Sequence, residues 1–572
     1  MDVDFAKRRA GNEALGRAET QDNSSWEAMA LELTAFALAI PPTIDLCMKY
    51  GRELRGLCST LKHAESEVAE RVLRLDNGWL RFMHQLSFVS RVEHVMDDEH
   101  REIHERTLRT LLGKLEAVTL ILKQLVRQTE PSQNGQYTNQ RGPVLGARRM
   151  INFVFKKESL DKAIDELETW QRVADQSWFL IMKIAHPHID QALPSVDNVV
   201  GDGRSAANAI PEAKVVRAAG KTGPVTGASI TIDARELENM NIWRIPWSVA
   251  FLAQRTFSQG TVATYVLSMI QCQPLAKYDM IKGDARDLAR KLQHSDPHAF
   301  GLLACKGLAV PSSIPEIAPG GQQTEPEVNF TMVFRVPERC SVESARSFRD
   351  LLLNTPGPPL SLSFRLSMAS ELAKAVSYVH TFGFVHKTIR PESILTFSKD
   401  GGGLSVFLVG FENFRREHGW TQRRGDADLG RNLYRHPSRQ GTCPREDYLM
   451  QHDIYSLGVC LLEIGLWASL VLYDAQGAWL PTGLLLGVQP GTVDVGPFLL
   501  TKGQDRLLFL AQSRLPQVMG MRYAEIVQTC LTCLDPGNGD FGDPQEFQDQ
   551  DGVRVGVRYI EKILLRLNTL VI

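Results

Sequence analysis

The chain has 572 residues, 43% of them hydrophobic and 23% charged, with a formal net charge of −2. That length is too great for one ordinary core, the composition is that of a globular protein able to bury a large one, and the near balance of charge gives no basis for nucleic-acid binding. The N-terminus MDVDFAKRRAGNEALG carries acids at once and no apolar h-region, and the nine cysteines, spread from Cys47 to Cys533 without a repeated framework, read as reduced thiols, so a cytoplasmic protein is expected.

The first apolar stretch, LTAFALAIPPTI at residues 33–44, contains Pro41 and Pro42 and lies between Glu32 and Asp45. It falls short of the ~18 apolar residues that suggest a spanning helix. Residues 1–25 read as an extension, followed by one helix over 26–40 and another after Pro42. Val72, Leu75, Trp79, Phe82, Leu86 and Val89 then alternate steps of three and four, which places them on one helical stripe. Leu108, Leu111, Leu112, Leu115, Val118, Leu122, Leu125 and Val126 form a second stripe, opposite Arg109, Lys114, Glu116 and Lys123. A third runs through Leu160, Ala163, Ile164, Leu167, Trp170, Ala174 and Ile181, with Ser159 as the expected N-cap. Helices with one apolar face need partners, so residues 26–185 are expected to form an all-α bundle.

Residues 186–228 are rich in Pro, Gly, Ala and Ser without a sustained period and read as a flexible linker. Beyond residue 229 the texture changes to short β-branched and aromatic runs such as TVATYVLSMIQ and VNFTMVF, and helical patterns take over from Leu362. Strands followed by helices predict a two-lobed α+β domain over 229–572, with a small lobe to about residue 340 and a large lobe from about 341.

Three segments of this half stand in a telling order: GFVHKTIRPESIL at 383–395, FLVGFENF from Phe407 and DIYSLGVCLLEIGLW from Asp453. They resemble the catalytic loop, the approach to D-F-G and the apolar central helix of the protein-kinase fold. Phosphoryl transfer in that family needs a Gly-rich loop over the phosphates, a Lys–Glu pair, a loop Asp for the substrate hydroxyl, and an Asn and an Asp for magnesium. Aligned to H-R-D-x-x-x-x-N, this loop reads His386, Lys387 and Thr388, with Ser393 at the Asn position. At D-F-G stand Gly410, Phe411 and Glu412. No Lys lies between Lys221 and Lys277, no Glu between Glu238 and Glu316, and Gly260 alone lies between Gly227 and Gly283. The residues that match the family's structural anchors are His386, Pro391, Phe411, Pro437, Asp453 and Gly458. The resemblance therefore implies a pseudokinase without catalytic residues, metal or required cofactor, to which magnesium-ATP binds weakly or not at all. His386 is expected as a packed core residue and Glu412 as a solvated or salt-bridged acid. Thr388, a hydroxyl without a neighbouring base, is no proton acceptor at neutral pH.

The helical half also carries a resemblance. RRMINFVFKKESLDKAIDELETWQRVAD, from Arg148, and ALAIPPTIDLCMKYGREL are similar to segments of the fungal HeLo and HeLo-like, prion-inhibition and propagation domains. A helical bundle joined to a pseudokinase resembles the mixed-lineage kinase domain-like family. That likeness implies an effector bundle in programmed cell death or incompatibility, recruited to an anionic membrane when the pseudokinase releases it. Arg148, Arg149, Lys156 and Lys157, interleaved with Phe153 and Phe155, are the candidate membrane contacts, with a solvated basic face as the plainer reading. Expected partners are an upstream protein activator, the intramolecular bundle–pseudokinase contact, an anionic membrane and a second copy of the chain. A cytosolic scaffold without membrane action and an active atypical kinase are the alternatives.

Overall fold

A computed structural model describes residues 40–129 and 144–193 apart from residues 62–65 and 185, then Arg217, and then residues 230–570 apart from short stretches, the longest being 312–327 and 488–494. The extension 1–25, the expected helix over 26–40 up to residue 39, and most of 194–229 lie outside the described residues.

Four long helices build the N-terminal half: α1 (Ile40–Leu61), α2 (Ser66–Val92), α3 (Asp98–Thr129) and α4 (Val144–Ile181). Pro41 and Pro42 fall in the first turn of α1, where a missing N–H costs nothing because that donor has no intrahelical acceptor. Among the stripe residues whose side chains are described all are buried except Leu112, Val126, Ala163 and Trp170, which are half-buried against the same core. Glycine is required at residue 51, since a Cβ there would lie 1.8 Å from Cζ2 of Trp79, and this contact brings α1 down onto α2. Arg71 reaches Asp161 at 2.7 Å and Arg74 reaches Glu168 at 2.9 Å, tying α2 to α4 on the outside. Ser159 is not a cap. It lies inside α4, because residues 144–181 contain no proline and a single glycine, Gly146, to interrupt the helix.

The linker expected from residue 186 also begins differently. A short helix, α5 (Pro187–Ala192), buries Ile189, and Arg217 folds back onto this corner. Its guanidinium meets both carboxylate oxygens of Asp190 at 3.0 Å and donates to the carbonyls of Met182, Ile184 and His186. A buried arginine thus satisfies carbonyls left open at the end of α4.

The C-terminal half has the expected two lobes. The small lobe is a six-stranded sheet in the order β1-β5-β6-β4-β3-β2 (Thr231–Asp233, Cys305–Val310, Val328–Arg335, Val262–Cys272, Ala250–Thr256, Asn241–Arg244). Helix α6 (Tyr278–Gln293) packs on one face of it through Ala285, Leu288, Ala289 and Leu292. The large lobe is built round α8 (Leu362–Thr381) and α9 (Met450–Leu466), preceded by the short α7 (Phe348–Asn354). Every residue from Met450 to Gly465 is buried, as expected for a helix apolar on all sides. A last helix, α10 (Val553–Tyr559), runs on through Ile560–Leu565 to Asn568.

The two halves are in contact. One continuous apolar core extends from Ile40 to Leu567. Phe179 of α4 packs edge-on against Phe300 and Tyr378, with ring centroids 5.4 and 5.8 Å apart. The final helix is wedged between them. Tyr559 donates to the carbonyl of Ala373 in α8 at 2.7 Å, while Arg106 of α3 meets Glu561 at 2.9 Å and Glu99 pairs with Arg558.

Candidate functional site

The loop at 386–393 is fixed by a carboxylate beneath it. Asp453, fully buried on α9, accepts from the backbone N–H of His386 at 2.7 Å and of Lys387 at 2.9 Å, from the Tyr448 hydroxyl at 2.7 Å and from His380 at 3.1 Å. Burial opposes its charge, but these donors hold the Asp453 carboxyl below its ordinary range. His386 is fully buried, contacts the Val409 carbonyl at 3.0 Å and packs against Phe411 with ring centroids 4.7 Å apart. Burial lowers its pKa to about 4, so the ring is neutral and structural.

Three of the aligned motif positions carry side chains with internal partners, and Gly410, aligned with the first residue of D-F-G, carries no side chain. Thr388 donates to the Gly410 carbonyl at 2.6 Å, and contrary to expectation its hydroxyl does have a neighbouring base, Nδ1 of His386 at 3.2 Å. Ser393 closes its own turn, donating to the Arg390 carbonyl at 2.8 Å and accepting from the Arg390 N–H at 3.1 Å. Glu412 lies 3.4 Å from Arg390, the salt-bridged arrangement rather than the solvated one. Pro391 starts the turn that Ser393 ends, and Pro437 starts another. At Gly458 a Cβ would come within 2.7 Å of Cys530, so the glycine permits close packing of α9. Cys530 and Cys533 are both buried free thiols, as expected of a packed pair.

At the D-F-G position the chain itself lies across the cleft between the lobes. The link between β2 and β3 reads Ile245-Pro246-Trp247-Ser248-Val249, without glycine. It sits on the loop: the Val249 N–H and the Ser248 hydroxyl both donate to the Glu392 carbonyl at 3.2 Å, and Ser347 donates to the Pro246 carbonyl at 2.9 Å. A Cβ on Gly410 would lie 2.6 Å from Cγ2 of Val249, which shows how tightly this link covers the D-F-G position. Trp247, at φ 52°, stacks on Tyr473 with ring centroids 4.4 Å apart.

No cation stands on β4, and its buried Ser268 hydroxyl has no partner among the described residues. The acids of α6 are Asp279, Asp284 and Asp287. Two of them, Asp284 at 2.9 Å and Asp287, pair with Arg416, just past Glu412. The acids of α6 therefore pair with the stretch after Glu412, while its apolar face packs on the sheet.

Three features escaped the sequence reading. Arg349 on α7 is wholly buried and joins Glu392 at 2.9 Å, Glu463 at 3.2 Å and the Tyr434 hydroxyl. Glu463, a lone acid in the apolar run CLLEIGL, was a signal, because a buried charge needs a partner. Arg217 and the pairing of Arg416 gave none. Arg148, Arg149, Phe153, Phe155, Lys156 and Lys157 lie on α4, but their side chains are outside the described residues. No helix among the described residues is long and apolar enough to cross a membrane.

No known family profile matches the chain. Over 215 residues it is 30% identical to Eukaryotic translation initiation factor 2-alpha kinase 1 of Mus musculus, a match covering 35% of this chain and 31% of that protein. Over 107 residues it is 29% identical to Probable serine/threonine-protein kinase gdt8 of Dictyostelium discoideum, covering 18% and 8%. The chain thus spans less than a third of the length of these relatives. Together with the two-lobed fold, these similarities identify the C-terminal half as a protein-kinase-like domain.

Proposed function

We propose that this chain is a regulatory pseudokinase whose kinase-like domain restrains an N-terminal helical effector that acts at an anionic membrane. The observation that supports it best is the pair of roles taken by the large lobe. Its motif positions are used internally by Thr388, Ser393 and Glu412, and its outer helices are used to hold α3 and α4. A domain whose chemistry has been replaced by internal packing, yet which grips its neighbour, is suited to act as a shape. The membrane step, and the setting in cell death or incompatibility, rest on the resemblance of the bundle and on the Arg148, Arg149, Lys156 and Lys157 cluster.

Reversing charge at the interface tests this. The double variant Arg106→Glu, Arg558→Glu removes the Glu561 and Glu99 contacts. It should leak dye from anionic vesicles at concentrations where the wild-type chain does not, and neutralising the four basic residues in that background should suppress the leak. Equal, negligible leakage by all three proteins would favour a scaffold.

A second reading, an active kinase, is favoured by the similarity to the two protein kinases. Magnesium-dependent turnover of ATP by the full chain, abolished in a Thr388→Val, Glu412→Gln variant, would establish it.

A further inference from the structure

The bundle and the small lobe both hold one short strip of the large lobe. Residues 384–385 and 415–416 pair as two antiparallel strands, with Val385 opposite Arg415 and Phe384 opposite Arg416. The Glu417 N–H extends the pairing by donating to the Gly383 carbonyl at 2.9 Å. Arg415 fastens the strip from within, its guanidinium donating to the carbonyls of Arg416, Glu417, Gly419 and Tyr448.

Successive side chains of this strip serve different parts of the molecule. Arg416 grips α6 of the small lobe through Asp284, at 2.9 Å, and Asp287. Glu417 meets Lys183 of the bundle, just past the end of α4, at 3.4 Å. Those two side chains are 10% and 16% exposed, so solvent and salt screen the pair little. The same lysine lies 3.4 Å from the His380 carbonyl, and Lys291 of α6 donates to the Phe382 carbonyl. The C-terminal end of α8 thus receives one lysine from the bundle and one from α6, where the helix dipole favours cations. The two ammonium groups act on each other: burial first and Lys183 second bring the Lys291 pKa down to about 7, against the pull of Asp284.

We propose that residues 415–417 form an autoinhibitory clasp that couples the bundle to α6, so that displacing α6 loosens the bundle. The strip cannot follow one neighbour without moving from the other, and a largely buried charge that loses its partner is costly. Such coupling is reciprocal, so undocking the bundle must loosen α6 to the same degree. The clasp deepens the proposed restraint of the bundle, and it rests on the docked arrangement of the two halves rather than on any action at a membrane.

The test is hydrogen–deuterium exchange of the full-length chain, read at the end of the bundle over residues 176–192 and in α6 over residues 278–293. Arg416→Gln and Asp287→Asn cut the α6 side of the clasp, and Glu417→Gln cuts the bundle side. Each should raise exchange about threefold or more in both windows. Arg255→Gln, which breaks the ion pair with Glu236 elsewhere in the small lobe, should raise it in neither. Should Arg416→Gln open the whole chain, Asp287→Asn, a smaller change at a side chain 25% exposed, decides. A rise confined to the window that each variant touches, or no rise, overturns the proposal. Coupled rises with negligible vesicle leakage by the Arg106→Glu, Arg558→Glu variant would uphold the clasp and discard the membrane effector. Leakage with uncoupled rises would do the reverse.

Discussion

Gly556 of the last helix faces Leu180 of the bundle so closely that a Cβ on the glycine would lie 2.8 Å from Leu180 Cδ1. A small side chain there requires Leu180 to shift, and a large one has no room beside it. Gly556→Leu should therefore separate bundle from kinase-like domain while leaving the core of each intact. Size-exclusion chromatography with light scattering should show a larger hydrodynamic radius at unchanged mass. An unchanged radius would mean that the interface yields by side-chain rearrangement instead.

Thr388→Asp, the substitution that restores the kinase residue, should destabilise the protein and confer no phosphotransfer. It replaces a hydroxyl donor with a carboxylate facing the Gly410 carbonyl, now met at 2.6 Å. Leaving buried polar groups without a partner costs about 1–3 kcal/mol, more when one is charged. Denaturant unfolding should show the lower midpoint, whereas Thr388→Val should cost only about 1 kcal/mol.

Magnesium-ATP should not stabilise the fold. Val249 and Ser248 occupy the ground above Gly410 and Glu392, and no cation stands on β4. Occupancy at a hundredfold excess over Kd would add about 2.7 kcal/mol to stability. A thermal shift specific to nucleotide with magnesium would show that the β2–β3 link opens.

Acid should weaken the bundle through two imidazoles. His100 and His104 on α3 are buried, and both face Ser177 of α4, with His104 Nδ1 2.7 Å from its hydroxyl and His100 Nε2 3.3 Å from its carbonyl. Burial lowers their pKa values to about 4 and about 3; His100 lowers that of His104 further, while Asp97 and the Ser177 carbonyl oppose the shift at His100. Since the folded values lie below the ordinary ~6.5, their contribution is complete above pH 6.5 and is lost as pH falls towards 4. The loss is on the order of 2 kcal/mol per ring at pH 5. His104→Gln should make the acid limb of a stability–pH curve shallower by about one proton, and an unchanged slope would place the acid sensitivity elsewhere.

The apolar stripes made the bundle helices legible, because burial on one face is a local, periodic property: Trp79, Leu111 and Ile164 all sit where their spacing put them. The same holds for the loop, where motif order alone located His386 and Asp453. What periodicity cannot carry is pairing between distant charges. Nothing near Arg349 marks Glu463, 114 residues away, as its partner, and nothing near Arg416 marks Asp284. The Ile245–Val249 link looked merely glycine-poor, because its role depends on Trp247 adopting a positive φ that only the surrounding packing imposes.

The hold of Arg217 on Asp190 changes what release of the bundle means. Fully extended, the chain from Arg217 to Ile230 reaches at most roughly 45 Å, against roughly 130 Å were it free from Leu193 onward. An undocked bundle therefore stays on a short leash, at high effective concentration beside the surface it left, and recaptures readily. On the proposed function, lasting escape would require Arg217 to let go as well, so that docking and leash would act as two locks in series.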